Sequence, residues 1–125
     1  MSDVTILYNP RCGTCRKTLD LIKKNGIQPK IIEYLKIQLT KEELDRILRQ
    51  LGMEPREIIR TKEKEYEQLK LSQPRLSRRE LIQAMVNHPI LIQRPIVLSK
   101  DKAVLCRSPE KVEQLLSGLS RRLKP

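Results

Sequence analysis

Residues 4–16 read Val-Thr-Ile-Leu-Tyr-Asn-Pro-Arg-Cys-Gly-Thr-Cys-Arg, and this stretch decides the fold. Val4 to Tyr8 is apolar, β-branched and of strand length, and Asn9-Pro10 stops a strand and opens a loop. After Cys12-Gly13-Thr14-Cys15, the residues Leu19, Leu21 and Ile22 fall at helical spacing. Lys23 and Lys24 suit the last turn, and Asn25-Gly26 supplies the stop. Lys30 to Leu35 reads as a second strand. The first 36 residues thus make a βαβ unit.

From about 38 to 89 the pattern turns helical. Thr40 and Glu43 form a capping box ahead of Leu44, Ile47, Leu48 and Leu51, with Gly52 as terminator. Ser77 and Glu80 repeat the box ahead of Leu81, Ile82, Met85 and Val86. A weaker helical stretch lies near Pro55 to Ile59, and the charges Glu63, Lys64, Glu65 and Glu67 read as a solvated face. Strand signals return at Ile96-Val97-Leu98 and at Ala103 to Cys106, joined as a hairpin by Lys100-Asp101-Lys102. Ser108-Pro109-Glu110 then reads as a helix start, with Ser108 as cap and Pro109 at the first helical position, leading into Val112, Leu115 and Leu116. The sum is an α/β chain with a four-stranded mixed sheet in βαβ…ββα order and a helical insertion between its second and third strands. One domain over 1–125 is expected: a core at about 3–36 and 90–117, the insertion at about 38–89 and a polar tail at 118–125.

The chain has 125 residues, of which 38% are apolar, with no Phe, no Trp and three Tyr. Its core must therefore be built from Leu, Ile and Val. No membrane span is expected, because the most apolar stretch, Leu81 to Leu98, is cut by polar residues and prolines. The N-terminus has no signal-peptide pattern, and a cytoplasmic protein is expected. Lys and Arg number 26 against 15 Asp and Glu, a formal charge of +11 that favours anionic partners. The scarcity of aromatic side chains removes the stacking platforms on which single-stranded nucleic acid is held, so no nucleic-acid partner is expected. A monomer is expected.

Three cysteines and a single histidine give neither a disulfide framework nor a second pair of metal-ligand spacing, so no metal is expected. Cys12 stands where a strand end meets a helix start. Unpaired N–H groups and the helix dipole stabilise negative charge there, and Arg11 and Arg16 add to it. Such surroundings lower a cysteine pKa from about 8.5 to about 3.5–7.5. The same helix end can receive an oxyanion. Cys15, one turn on, is spaced to form a disulfide with Cys12 as in an exposed CxxC pair, or to occupy a Ser-like position on the helix. Cys106 reads as a buried strand residue and His88 as structural.

The run Asn9-Pro10-Arg11-Cys12-Gly13-Thr14-Cys15-Arg16 closely resembles the catalytic loop of the glutaredoxin-linked arsenate reductases of the ArsC family. His88 to Val97 resembles that family's second signature, and Cys106-Arg107-Ser108-Pro109 its third. The resemblance spans about residues 4–117. It implies a thioredoxin-like fold, a cis peptide bond before Pro95, Cys12 as nucleophile, and Arg60, Arg94 and Arg107 as ligands of the oxyanion. Guanidinium suits that role, offering forked donors and a permanent charge. The chemistry implied is attack of the Cys12 thiolate on arsenate, reduction by glutathione as co-substrate, and clearance of the mixed disulfide by glutaredoxin, with no bound cofactor.

Two positions depart from the family pattern. Cys15 stands where Ser is common, and Tyr8 where His is common. Cys15 opens a route through an internal disulfide reducible by thioredoxin or glutaredoxin. It also gives a likeness to the Spx-type transcriptional regulators, which carry CxxC followed by Arg-Lys and bind RNA polymerase. A general thiol-disulfide redox protein is a third reading. Arg60 and Arg107, which the Spx-type branch does not typically keep, favour the reductase.

Overall fold

The computed structural model describes residues 4–100 and 102–116. They fall into two compact units, one within 1–33 and 94–125 and the other within 34–93. The first holds strand β1 (Thr5–Leu7), helix α1 (Gly13–Lys24) and strands β2 (Lys30–Ile32), β3 (Ile96–Leu98) and β4 (Ala103–Leu105). The strands form one sheet in the order β2-β1-β3-β4. β1 lies parallel to β2, with Ile6 opposite Ile31, and antiparallel to β3, with Ile6 opposite Val97. β3 and β4 are antiparallel, with Val97 opposite Val104. A parallel neighbour requires a crossover, which α1 supplies. This is the expected thioredoxin-like mixed sheet, and the Arg94–Pro95 bond is cis.

Strand and helix periodicities converge on one core. Val4 and Ile6, two apart on the strand, share a face, and Leu19 and Ile22 share the inward stripe of α1. These side chains cluster with Val97 and with Leu116 from the helical residues 112–116. Pro109–Lys111 forms a 3-10 turn first, and Ser108 at its head makes no capping side-chain bond, unlike the cap expected there. β2 is shorter than the stretch 30–35 expected, because the chain turns over 34–36. The polar tail expected at 118–125 and Asp101 of the expected turn lie outside the described residues.

The second unit contains α2 (Lys41–Leu51), α3 (Pro55–Ile58), α4 (Lys64–Gln68) and α5 (Arg78–Asn87). Both capping boxes close: Glu43 N–H donates to Thr40 Oγ1 at 3.0 Å and Thr40 N–H to Glu43 Oε1 at 2.9 Å. Ser77 and Glu80 exchange the same pair of bonds at 3.2 and 3.1 Å. Gly52 ends α2 with φ of +67°, a left-handed conformation that costs glycine little. The charges read as a solvated face fall on α4 and its N-cap Glu63, and α4 buries none of its residues. No helix among the described residues is long and apolar enough to cross a membrane.

Candidate active site

The turn after β1 is built by Asn9, only 6% exposed. Its side-chain Oδ1 accepts the Arg11 N–H at 3.0 Å, and its carbonyl accepts the Cys12 N–H at 3.0 Å. These bonds fold the loop back and deliver Cys12 to the N-cap of α1, in extended geometry, with its own carbonyl accepting the Arg16 N–H at 3.1 Å. Sequence reasoning gave Asn9 only a loop-opening role. Its place in Asn-Pro directly after a strand was the available signal, since Asn caps its own turn.

Cys12 is partly exposed. Its side chain makes no capping bond of the kind Ser would make. Burial opposes its ionisation, but the N–H and S–H of Cys15 and the guanidinium of Arg94 act as donors to the sulfur, and together they bring this thiol below its ordinary value. The helix start thus serves the thiolate directly.

Cys15 is not part of an exposed pair, as expected, but wholly buried. It lies on the inward stripe of α1 with Thr18, Leu19 and Ile22, three, four and seven residues on, which is why the helix takes it out of solvent. Burial, reinforced by the neighbouring Cys12 charge, pushes its thiol up to about 12, against a lowering by the Asn9 backbone. Cys15 therefore stays protonated at neutral pH and is a standing donor to Cys12. Cys106 is also fully buried, and burial pushes it up to about 12.

Arg94 stands two residues before β3, ahead of Pro95, with its Nε and Nη1 buried. The Cys106 N–H donates to the Pro95 carbonyl at 2.9 Å, so the chain leaving β4 runs beside the chain entering β3. Arg107, exposed, follows at once. The structure therefore brings Cys12, Cys15 and Arg94 together and sets Arg107 on the segment adjoining Arg94. Arg60 belongs to the helical unit. It follows the Ile59–Ile92 bridge, its N–H donates to the Leu91 carbonyl at 2.7 Å, and its Nε meets Glu63 Oε2 at 3.2 Å.

A cleft of about 570 Å³ in the helical unit, between α2 and α5, contains neither cysteine nor any of these three arginines. Its floor is a charge network, with Arg78 bonded to Asp45 at 2.9 Å and Glu54 at 3.2 Å, and Arg49 to Asp45 at 2.9 Å. No thiol lines it.

A strand-loop-helix unit that presents one ionisable sulfur beside a buried thiol and a guanidinium defines a thiol-chemistry centre on a thioredoxin-like fold. The sequence model of the ArsC family matches residues 7–115, and the chain belongs to that family. It is 40% identical over 116 residues to an arsenate reductase of Escherichia coli strain K12, covering 93% of this chain and 82% of the relative. It is 43% identical over 114 residues to the uncharacterized protein YfgD of the same strain, covering 90% of this chain and 96% of that one. The solved arsenate reductase from Vibrio cholerae superposes with a TM-score of 0.88 at 42% identity, covering 90% of this chain and 97% of the other.

Proposed function

We propose that this chain is a thiol-dependent arsenate reductase in which Cys12 is the nucleophile. The observation that carries the reading is the donor set around its sulfur, the Cys15 N–H and S–H and the Arg94 guanidinium, which favours its thiolate form. The thiolate displaces an arsenate oxygen and forms a sulfur–arsenic(V) bond. Arg94 holds the oxyanion beside the sulfur, and the family resemblance gives Arg107 and Arg60 the same task. Glutathione then attacks, arsenite leaves, and the mixed disulfide on Cys12 is cleared by glutaredoxin. The 40% identity to an arsenate reductase supports the choice of oxyanion.

Cys15 supports a second resolving route. One turn from Cys12, it would attack that sulfur on loss of its proton and leave an internal disulfide for thioredoxin or glutaredoxin to reduce; in the reduced protein burial and the Cys12 charge hold that proton in place. The test is an NADPH-coupled assay of purified protein with arsenate, glutathione and glutaredoxin, repeated with thioredoxin. Turnover that Cys12→Ser abolishes supports the reading, and loss of the thioredoxin-driven rate alone in Cys15→Ser supports the internal route. No turnover with either reductant, on folded protein with free thiols, overturns it.

A further inference from the structure

Arg60 is fixed at both ends. Its main chain is tied into the Ile59–Ile92 bridge: the Arg60 N–H donates to the Leu91 carbonyl at 2.7 Å and the Gln93 N–H to the Ile58 carbonyl at 2.8 Å. Ile58, Ile59, Leu91 and Ile92 are all buried, so this anchor is shielded from water. At the other end the Arg60 Nε–H donates to Glu63 Oε2 at 3.2 Å, with the two side chains 28% and 26% exposed. Glu63 is the N-cap of α4, yet its side chain makes no capping bond, whereas the N-cap side chains of Thr40 and Ser77 each accept one. The Glu63 carboxylate turns back three residues to Arg60 instead, and the Glu63 N–H donates to the Arg60 carbonyl at 3.4 Å.

How a guanidinium is held decides what it can still bind. Arg78 uses Nε, Nη1 and Nη2 on Asp45 and Glu54, and its fork is fully engaged. Arg60 gives Glu63 its Nε alone, and neither of its Nη groups bonds another described residue. The edge between those two groups is a fork that fits two oxygens of a tetrahedral oxyanion. An unrestrained arginine must surrender its rotamers when it grips a ligand, a loss that reaches about tenfold in affinity, and prior fixation avoids it. A nearby carboxylate also repels an anion, but at this exposure solvent screens the repulsion.

We propose that Glu63 is a positioning residue for oxyanion binding: it fixes Arg60 through Nε and leaves the Nη1–Nη2 edge to the anion, and this fixation outweighs the repulsion its own charge exerts. The proposal rests on the arsenate-reducing reading, in which Arg60 grips the oxyanion. Glu63 touches neither the substrate nor the reacting sulfur and acts only through Arg60.

The test is a double-mutant cycle of Arg60→Ala and Glu63→Ala, read as kcat and KM for arsenate in variants whose circular dichroism is that of the wild type. The same cycle is repeated in Cys12→Ser, with arsenate affinity read by calorimetry, so that binding is followed without chemistry. Glu63→Ala should raise KM by about tenfold with kcat little changed, because a grip made before the chemical step is uniform binding. Glu63→Gln, whose amide oxygen still accepts from Nε, should recover most of the loss. In the Arg60→Ala background Glu63→Ala should add nothing. The same penalty in both backgrounds would mean that Glu63 serves the fold alone, and a KM that is unchanged or falls in Glu63→Ala would mean that repulsion matches or exceeds fixation; either overturns the proposal. If one of these is found while arsenate is turned over, the positioning role fails and the reductase stands. If the affinity cycle shows the coupling and no reductant drives turnover, the positioning role stands and the reductase fails. Absence of arsenate binding in Cys12→Ser together with absence of turnover in the parent chain overturns both.

Discussion

Cys15 reaches the sulfur of Cys12 twice, through its amide and through its thiol, while its own ionisation is pushed up to about 12. Two cysteines three residues apart are thereby shifted in opposite directions. Removing the S–H should raise Cys12. In Cys15→Ala the thiolate absorbance titration is expected to move upward, whereas Cys15→Ser keeps a hydroxyl donor and should stay near the wild type. Identical titrations for the Ala and Ser variants would sink the donor role.

Alkylation should distinguish the three thiols by burial and charge. Iodoacetamide at neutral pH is expected to label Cys12 alone in the folded protein, with Cys15 and Cys106 reacting only after denaturant, as read by peptide mapping. Early labelling of Cys106 would contradict its burial.

Arg94 acts on the Cys12 thiolate by hydrogen bond and by charge. Arg94→Ala should raise the thiol titration and lower kcat/KM for arsenate by about 10- to 100-fold, the value of a hydrogen bond to a charged group. Arg94→Lys should restore the titration more fully than the turnover, because an ammonium keeps the charge but loses the fork. Equal recovery of both would remove the geometric part of the claim.

Stability should fall in alkali. Cys15 and Cys106 are raised by burial to about 12, so each contributes stability that is complete below the unfolded thiol value and is lost as pH rises through the folded one. The depressed Cys12 works in the opposite sense, its contribution present above the unfolded value and lost as pH falls through the folded one. Urea midpoints should decline above about pH 9, where unfolded thiols ionise. Cys106→Ala should flatten that decline, and a slope unaltered by this substitution would show the thiol to be unlinked to folding.

The reciprocal caps of α2 and α5 give a local stability prediction. Thr40→Ala removes the acceptor of the Glu43 N–H and should cost about 1 kcal/mol in urea denaturation. Thr40→Ser, which retains the hydroxyl, should recover most of the loss.

What could be seen in the sequence was what neighbouring residues settle among themselves. The strand-loop-helix at the start, both capping boxes and the closing hairpin are all set by contacts a few residues apart. The burial of Cys15 is a matter of helix face. Leu19 and Ile22 at four and seven residues on carried that information, but the CxxC spacing drew attention to exposure. α4 was missed because Lys64, Glu65 and Glu67 look solvated whether helical or not. Strand β2 looked longer because Tyr34 and Leu35 have strand-like side chains, while a turn at that point depends on contacts distant in sequence. Asn9 was read for its proline neighbour, and its two hydrogen bonds depend on the loop closing.

The 34–93 excursion leaves the chain just after β2 and rejoins it one residue before Arg94. Cys12, Cys15 and Arg94 therefore share one contact neighbourhood although more than half the polypeptide separates the first from the last. Sequence changes confined to residues 34–93 therefore leave every residue of the unit that holds Cys12, Cys15 and Arg94 unaltered.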